Sequence, residues 1–423
     1  MHDGAVDLKA EARARIYAQP LEELDPAQPE LFTQDAMWPI FERLRAEDPV
    51  HQVTSPTYGT YWSITRWDDI MAVDSNHQVF SSADGITLQS HEAKAEQVRR
   101  GTRPSFISMD PPRHDEQRKT VSPVVAPSNL QVMGPVIRER AGKILDGLPI
   151  GEEFDWVERV SKELTAMTLA TLFDFPQEER QLLPYWSDMM TNMPGHGPVK
   201  SWEHKREAID GMVERFVGLW NERVNAPPAG DLISMLCHGA STRDMDRLEY
   251  AGNLGLLIIG GNDTTRNTIS GSVYALNKHP GEYAKLKANP ALIPSMVSET
   301  IRWQTPLAHM ARTATQDHEL GGKTIKAGDR VAMWYVSGNR DEAVMESPNA
   351  YIIDRERPRH HMSFGFGIHR CVGNRLAELQ LTIIWEEIMK RFPSIELAGE
   401  PTRTHSVFVK GYETLPVVIP TRN

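Results

Sequence analysis

The chain has 423 residues, 57 Asp and Glu against 46 Lys and Arg, and two cysteines. A net charge of −11 excludes general nucleic-acid binding, which runs on basic surface. Cys237 and Cys371 cannot build a disulfide framework, and a 40% hydrophobic share with 8% aromatics fits a globular chain rather than a disordered one. Length alone, at roughly 150 residues per domain, suggests two or three domains.

The N-terminal stretch is charged and lacks the apolar run of about ten residues that a signal peptide carries. The longest strongly apolar run, Leu254 to Ile259, is far short of the ~20 residues that span a bilayer. These features predict a cytoplasmic chain without a membrane anchor. The loose stretches 192–198 (NMPGHGP) and 225–230 (NAPPAG) read as loops between helices, not as domain boundaries. A single domain over residues 1–423 is therefore expected, against the length prior.

In chain order, a helix is predicted over Asp35–Glu47, strand-like alternation around Thr60–Thr65, and a loop-rich segment from Ser81 to Pro112. From about Leu130 to Trp303 the pattern is helical, with long helices over Lys205–Asn225 and Asp246–Lys278. His279-Pro280 stops the second of these. Beyond Pro306, His318–Leu320 and Lys323–Ile325 around Gly321-Gly322 read as a hairpin, and Arg330–Val336 as a strand. A last helix over Asn374–Phe392 carries Leu376, Leu379, Ile383 and Ile388 at helical spacing, before a strand-rich ending at Val407–Ile419. The fold class is mainly α with a minor β region.

The most specific segment is Ser363-Phe-Gly-Phe-Gly-Ile-His-Arg-Cys-Val-Gly373. It is a glycine-punctuated loop that delivers one cysteine to the start of the last helix. A thiolate there meets free backbone N–H groups and the positive end of the helix dipole, which favours ionisation. Gly365, Gly367 and Gly373 let the backbone pass close to something flat and bulky. A lone thiolate with donors trained on it suits an axial haem ligand. An isolated cysteine is otherwise a small buried hydrophobe, the reading adopted for Cys237. A zinc site on His360, His361, His369 and Cys371 lacks a second cysteine and any common zinc spacing.

Ile259-Gly-Gly-Asn-Asp-Thr-Thr265 interrupts a helical stretch with two glycines, each costing about 1 kcal/mol relative to alanine. A ligand approaching the backbone closely would explain them. The Thr264 hydroxyl can bond the carbonyl of Gly260, four residues back, and open a groove. An acid and an alcohol beside such a groove form a proton-delivery device. Loose helix packing beside a surface acid is the equal alternative.

Phe364-Gly-x-Gly-x-His-x-Cys371-x-Gly373 resembles the haem-binding signature of the cytochrome P-450 monooxygenases, and Gly261-Asn-Asp-Thr264 resembles their oxygen-activation motif. The resemblance implies the cytochrome P-450 fold and a non-covalent, thiolate-ligated haem b with Cys371 as metal ligand. Phe364 and Gly373 then belong to the haem loop, and Gly260 and Gly261 flank the haem. Asp263 and Thr264 relay protons to dioxygen. By the same likeness, His114, Arg118, Arg312 and His369 meet the haem propionates. Glu299-Thr-Ile-Arg302 matches the family's buried E-x-x-R, with Arg355 as its third member and Arg357 as a close rival; this triad is structural. Taken alone, such a pair is usually a solvated couple.

Four runs resemble the bacterial alkane and fatty-acid terminal hydroxylases: 106–112 (FISMDPP), 261–267 (GNDTTRN), 301–310 (IRWQTPLAHM) and 333–340 (MWYVSGNR). They imply ω-hydroxylation of a medium-length apolar chain in a pocket of Ile86, Leu88, Leu257, Gly260, Leu307, Met310 and Phe408. Ordinary core is the alternative for each. The resemblance further implies a monomer that takes electrons from a ferredoxin and its reductase, docked on Arg113, Lys119, Arg370 and Arg375. The rival readings are a cytochrome P-450 for a bulkier sterol or terpene, and a non-catalytic haem sensor.

Overall fold

The structure is a computed structural model that describes residues 8–423. Strands β1 (Val50–Ser55) and β2 (Gly59–Ile64) precede α1 (Trp67–Ser75), β3 (Phe80–Ser81), α2 (His91–Arg100) and α3 (Arg113–Val121). The helical body follows as α4 (Pro127–Asp146), α5 (Glu163–Phe173), α6 (Leu182–Thr191), α7 (Trp202–Arg223), α8 (Arg247–Lys278) and α9 (Ile293–Gln304). Then come β4 (Met310–Ala314), the hairpin β5 (His318–Leu320) and β6 (Lys323–Ile325), β7 (Arg330–Met333) and α10 (Asn374–Arg391). Helix makes up 54% of the structure, as the mainly-α reading expects.

Helix α8 organises the molecule. Asp246 caps it by accepting from Glu249 N at 2.9 Å, and His279-Pro280 ends it. At 1.5 Å per residue its 32 residues span about 48 Å, enough to cross a domain of this size. Ile258, Ile269 and Val273 bury against Leu169 of α5, Ile301 of α9 and Ile384 of α10. The indole of Trp385 on α10 donates to Ser272 at 2.8 Å, so this large ring is buried with its polar atom satisfied.

A five-stranded sheet, in the order β1-β2-β7-β4-β3, carries a second core of Trp62, Ile64, Ile70, Val73, Val331 and Met333. Only β2 and β7 run parallel, with Trp62 opposite Val331. A register slip of one residue would turn this apolar row away from its core. Several segments differ from expectation, among them the helix expected over Lys205–Asn225, which runs Trp202–Arg223. The helix expected over Asp35–Glu47 begins at Trp38, because Asp35 sits at φ +52° and its carboxylate accepts from the Trp38 indole at 3.1 Å. The segment read as a strand to Val336 leaves the sheet after Met333 and makes a short helix, Tyr335–Gly338. The stretch read as loop-rich contains α2, whose Ser90 cap accepts from Ala93 N at 3.1 Å. None of the described helices is long and apolar enough to cross a membrane.

Candidate active site

The cysteine loop is shaped by its neighbours. Gly365 and Gly367 have φ of +66° and +64°, the left-handed region that favours glycine. A Cβ on Gly367 would lie 2.6 Å from the Asp74 carbonyl, and one on Gly365 would lie 3.2 Å from the Asp74 carboxylate and the Tyr335 hydroxyl. Both therefore allow close contact with α1 and Tyr335, and Gly365 also lines the cavity onto which Cys371 opens. The N–H of Cys371 donates to the Phe364 carbonyl at 2.8 Å and closes the loop. Gly373 then caps α10, with no atom within 4 Å of where its Cβ would be.

Cys371 is solvent-accessible as a residue, and the space it opens onto is a cavity of about 950 Å³. Protein surrounds it otherwise. Burial pushes its thiol pKa up, while the N–H groups of Gly373 and Asn374 and the charges of Arg118 and Arg370 pull it down. The expected stabilising donors are present, and burial outweighs them. Cys237, by contrast, is buried with its Sγ 3.4 Å from the Ser234 carbonyl, an ordinary core thiol.

Across the cavity lies the glycine pair of α8. The Thr264 hydroxyl donates to the Gly260 carbonyl at 2.8 Å, as the motif's spacing predicts, and Thr264 lines the cavity. A Cβ on Gly260 would meet nothing within 4 Å, so this glycine leaves space on the cavity side. Gly261 has a different reason: its Cβ would lie 2.6 Å from Leu169 Cδ2, so it lets α8 approach α5.

Asp263 does not line the cavity. Its carboxylate is fully buried behind α8, where Oδ1 accepts from Ser187 at 3.0 Å, Asn262 at 2.9 Å and Arg266 at 3.0 Å. Oδ2 has no partner among the described residues. Burial raises its pKa, against the Arg266 charge that lowers it. Arg266 also holds Asp188 of α6 at 2.8 Å, and Asp188 lies 3.7 Å from Lys162, a partly exposed cation. The acid and the alcohol thus sit on adjacent residues, facing opposite ways.

The expected pocket residues do converge. Ile86, Leu88, Leu257, Leu307, Met310 and Phe408 all line the same cavity as Cys371, Thr264, Gly260 and Gly261. Arg118, Arg312, Phe364, His369 and Gly373 line it too. His114 lies just behind, its ring centroid 4.3 Å from that of His369. Arg118 donates to the Arg370 carbonyl. His369 Nε2 pairs with Ser82 Oγ at 3.0 Å, and His114 Nδ1 with Asp115 at 2.7 Å. The remaining ring nitrogens, His369 Nδ1 and His114 Nε2, are buried without partners among the described residues. Such orphaned buried polar atoms signal an absent partner.

One residue of this site escaped the sequence reading. Asp74, at the end of α1, is buried and accepts from Arg312 at 2.9 Å, Tyr335 at 2.6 Å and the Phe366 N–H at 2.8 Å. It ties the arginine of β4 to the backbone of the cysteine loop. The Glu299–Arg302 pair is fully buried at 2.7 Å, and Arg355, not Arg357, is its third member at 3.0 Å. Arg302 also donates to the carbonyls of Asn339, Pro348 and Ala350. Asn339 then donates to Ser363 at 2.8 Å, which passes the order on to the cysteine loop.

The cytochrome P450 family profile matches residues 48–410, and the chain belongs to that family. A solved structure, CYP153D17 from Sphingomonas sp. PAMC 26605, is 46% identical, with a TM-score of 0.87 over 93% of this chain and 98% of that one. Linalool 8-monooxygenase of Pseudomonas putida is 33% identical over 94% of this chain and 99% of its own. A methyl-branched lipid omega-hydroxylase of Mycobacterium tuberculosis is 28% identical over 89% and 90% respectively. The protein is thus a haem-thiolate monooxygenase, and the family's cofactor is a thiolate-ligated haem b. The site fits that group: one accessible sulfur, a helix face cleared at Gly260, and two orphaned imidazole nitrogens beside Arg118 and Arg312 for two carboxylates.

Proposed function

We propose that this enzyme hydroxylates the terminal methyl of a medium-length alkyl chain, an alkane or a fatty acid, with electrons from a ferredoxin and its reductase. The observation that carries the reading is one cavity shared by Cys371, Thr264 and six apolar side chains from four separate segments. Family membership and the omega-hydroxylase relative support it. One haem-enclosing domain accounts for motifs spread from His114 to Cys371.

When bound, the haem supplies the iron chemistry that activates dioxygen and inserts one of its atoms into a C–H bond. The chain supplies everything around that step. Cys371 Sγ would hold the haem iron, with the Gly373 and Asn374 N–H groups tempering its charge. His114, His369, Arg118 and Arg312 would hold the two propionates. Thr264 Oγ1, now donating to Gly260, turns its proton toward dioxygen. The Asp263 carboxyl, kept inclined to hold a proton by burial, refills it by rotating from Ser187 and Asn262. Ile86, Leu88, Leu307 and Phe408 exclude water and confine the chain so that only its end reaches the Thr264 side of the cavity. A primary C–H is the strongest in an alkyl chain, so confinement rather than reactivity selects it.

The second reading, a terpene or sterol hydroxylase, draws on the relative named linalool 8-monooxygenase. Product analysis separates the two. With octane and dodecanoic acid in a reconstituted ferredoxin system, gas chromatography should find the 1-alcohol and the ω-hydroxy acid as the main products. Mainly internal alcohols, or turnover confined to terpenes, would overturn the proposal.

A further inference from the structure

The cavity that reaches Cys371 also runs out to exposed Glu92 on α2 and to the first turn of α7. Its wall carries six Lys and Arg side chains, and four of them already have a carboxylate. Arg100 meets Asp210 at 3.1 Å, Arg103 meets Asp210 at 3.9 Å, Arg206 meets Glu96 at 3.2 Å and Arg312 meets Asp74 at 2.9 Å. Arg118 lies at the opposite end, on the carbonyl of Arg370 beside the cysteine, where the propionates account for it. Lys205 is the remaining one.

Lys205 makes no ion pair with any carboxylate among the described residues. Its Nζ donates to the carbonyls of Met190 at 3.0 Å and Asn192 at 2.7 Å, which end α6. An ammonium has three N–H bonds, so one donor is left over. Burial, followed by the nearby Arg103 charge, pushes its pKa down to about 8, so it is still mostly charged at neutral pH. A desolvated cation without a counter-ion is costly, and a charge-assisted bond to an incoming anion offsets that cost. The Trp202 ring, 5.6 Å from Nζ, is its other neighbour there, and among the six wall cations Lys205 is the one with neither a carboxylate nor a propionate to meet.

We propose that Lys205 is the subsite for the carboxylate of a long-chain acid, so that this enzyme takes fatty acids in preference to alkanes. The inference rests on the alkyl-chain reading above and adds its head group. With the carboxylate held at Lys205, the distal methyl is the end left to reach the Thr264 side of the cavity. Chain direction is then set by charge at one end and by shape at the other.

The test is a spectral titration of the haem-loaded protein, following the substrate-induced Soret shift with dodecanoic acid, 1-dodecanol and dodecane. Lys205→Gln keeps an N–H donor for the Met190 and Asn192 carbonyls while removing the charge, so the α6–α7 corner stays closed. We expect its Kd for dodecanoic acid to rise about tenfold, in line with a lost bond to a charged group. The values for the alcohol and the alkane should stay within about twofold, and Lys205→Arg should restore acid binding. An unchanged Kd for the acid, or equal weakening of all three ligands, would contradict the proposal. If none of the three shifts the Soret band of the unaltered protein, the alkyl-chain reading fails and takes this subsite with it. Lys205-dependent acid binding with oxidation inside the chain would leave the subsite standing and sink only the terminal assignment.

Discussion

At the scale of single residues, the site separates into groups that a motif announces and groups that only the fold assembles. Cys371 and Thr264 belong to the first kind. Even the bond from Thr264 to the Gly260 carbonyl was legible, because a hydroxyl in a helix has few acceptors other than the carbonyl four residues back. Asp74 belongs to the second. Its partners Arg312 and Phe366 lie 238 and 292 positions away, so no local pattern marks it. The direction in which Asp263 faces was equally hidden, since adjacent helical residues point about 100° apart and only packing decides which meets the cavity. Asp74 also yields a direct expectation. Asp74→Asn leaves Arg312 buried without its carboxylate, a change that typically costs about 3–5 kcal/mol. We expect a lower urea midpoint and faster transfer of haem to apomyoglobin, and an unchanged transfer rate would remove Asp74 from the haem cradle.

At the scale of elements, long periodic segments were readable and short or polar ones were not. Helix α8 was read within one residue at its start, because Asp246 and His279-Pro280 punctuate it. Helix α2 was missed. Its His91-Glu-Ala-Lys-Ala-Glu-Gln-Val-Arg-Arg100 has no apolar stripe, and Val98 is 84% exposed, so periodicity had nothing to register. The two glycines of α8 give a paired test of why they are there. Gly261→Ala places a methyl 2.6 Å from Leu169 and should destabilise the protein by about 1–3 kcal/mol in thermal or urea unfolding. Gly260→Ala meets nothing in the protein and should keep or slightly raise stability. It should instead weaken substrate binding, because the methyl occupies the cavity. If both variants behave alike, the two glycines do not divide the work as described.

At the scale of the whole molecule, the acidic chain is not acidic everywhere. Lys119, Arg370 and Arg375 are exposed and make no ion pair among the described residues, whereas Arg113 is held by buried Glu249. These three cations lie on α3, the cysteine loop and the start of α10, elements that converge on Cys371. We propose them as the docking face for an acidic ferredoxin. Replacing all three by glutamine should slow reduction at low salt and flatten its salt dependence. A stopped-flow rate unchanged at low salt would dismiss that face.

The function depends above all on Cys371 as the thiolate that would hold a haem between its loop and α8. A reduced, carbon monoxide-treated difference spectrum of the purified protein tests this directly, alongside Cys371→Ser. We predict the red-shifted Soret band of thiolate ligation in the unaltered protein and its loss in the variant. A spectrum without that band, or one that Cys371→Ser leaves intact, would contradict the assignment.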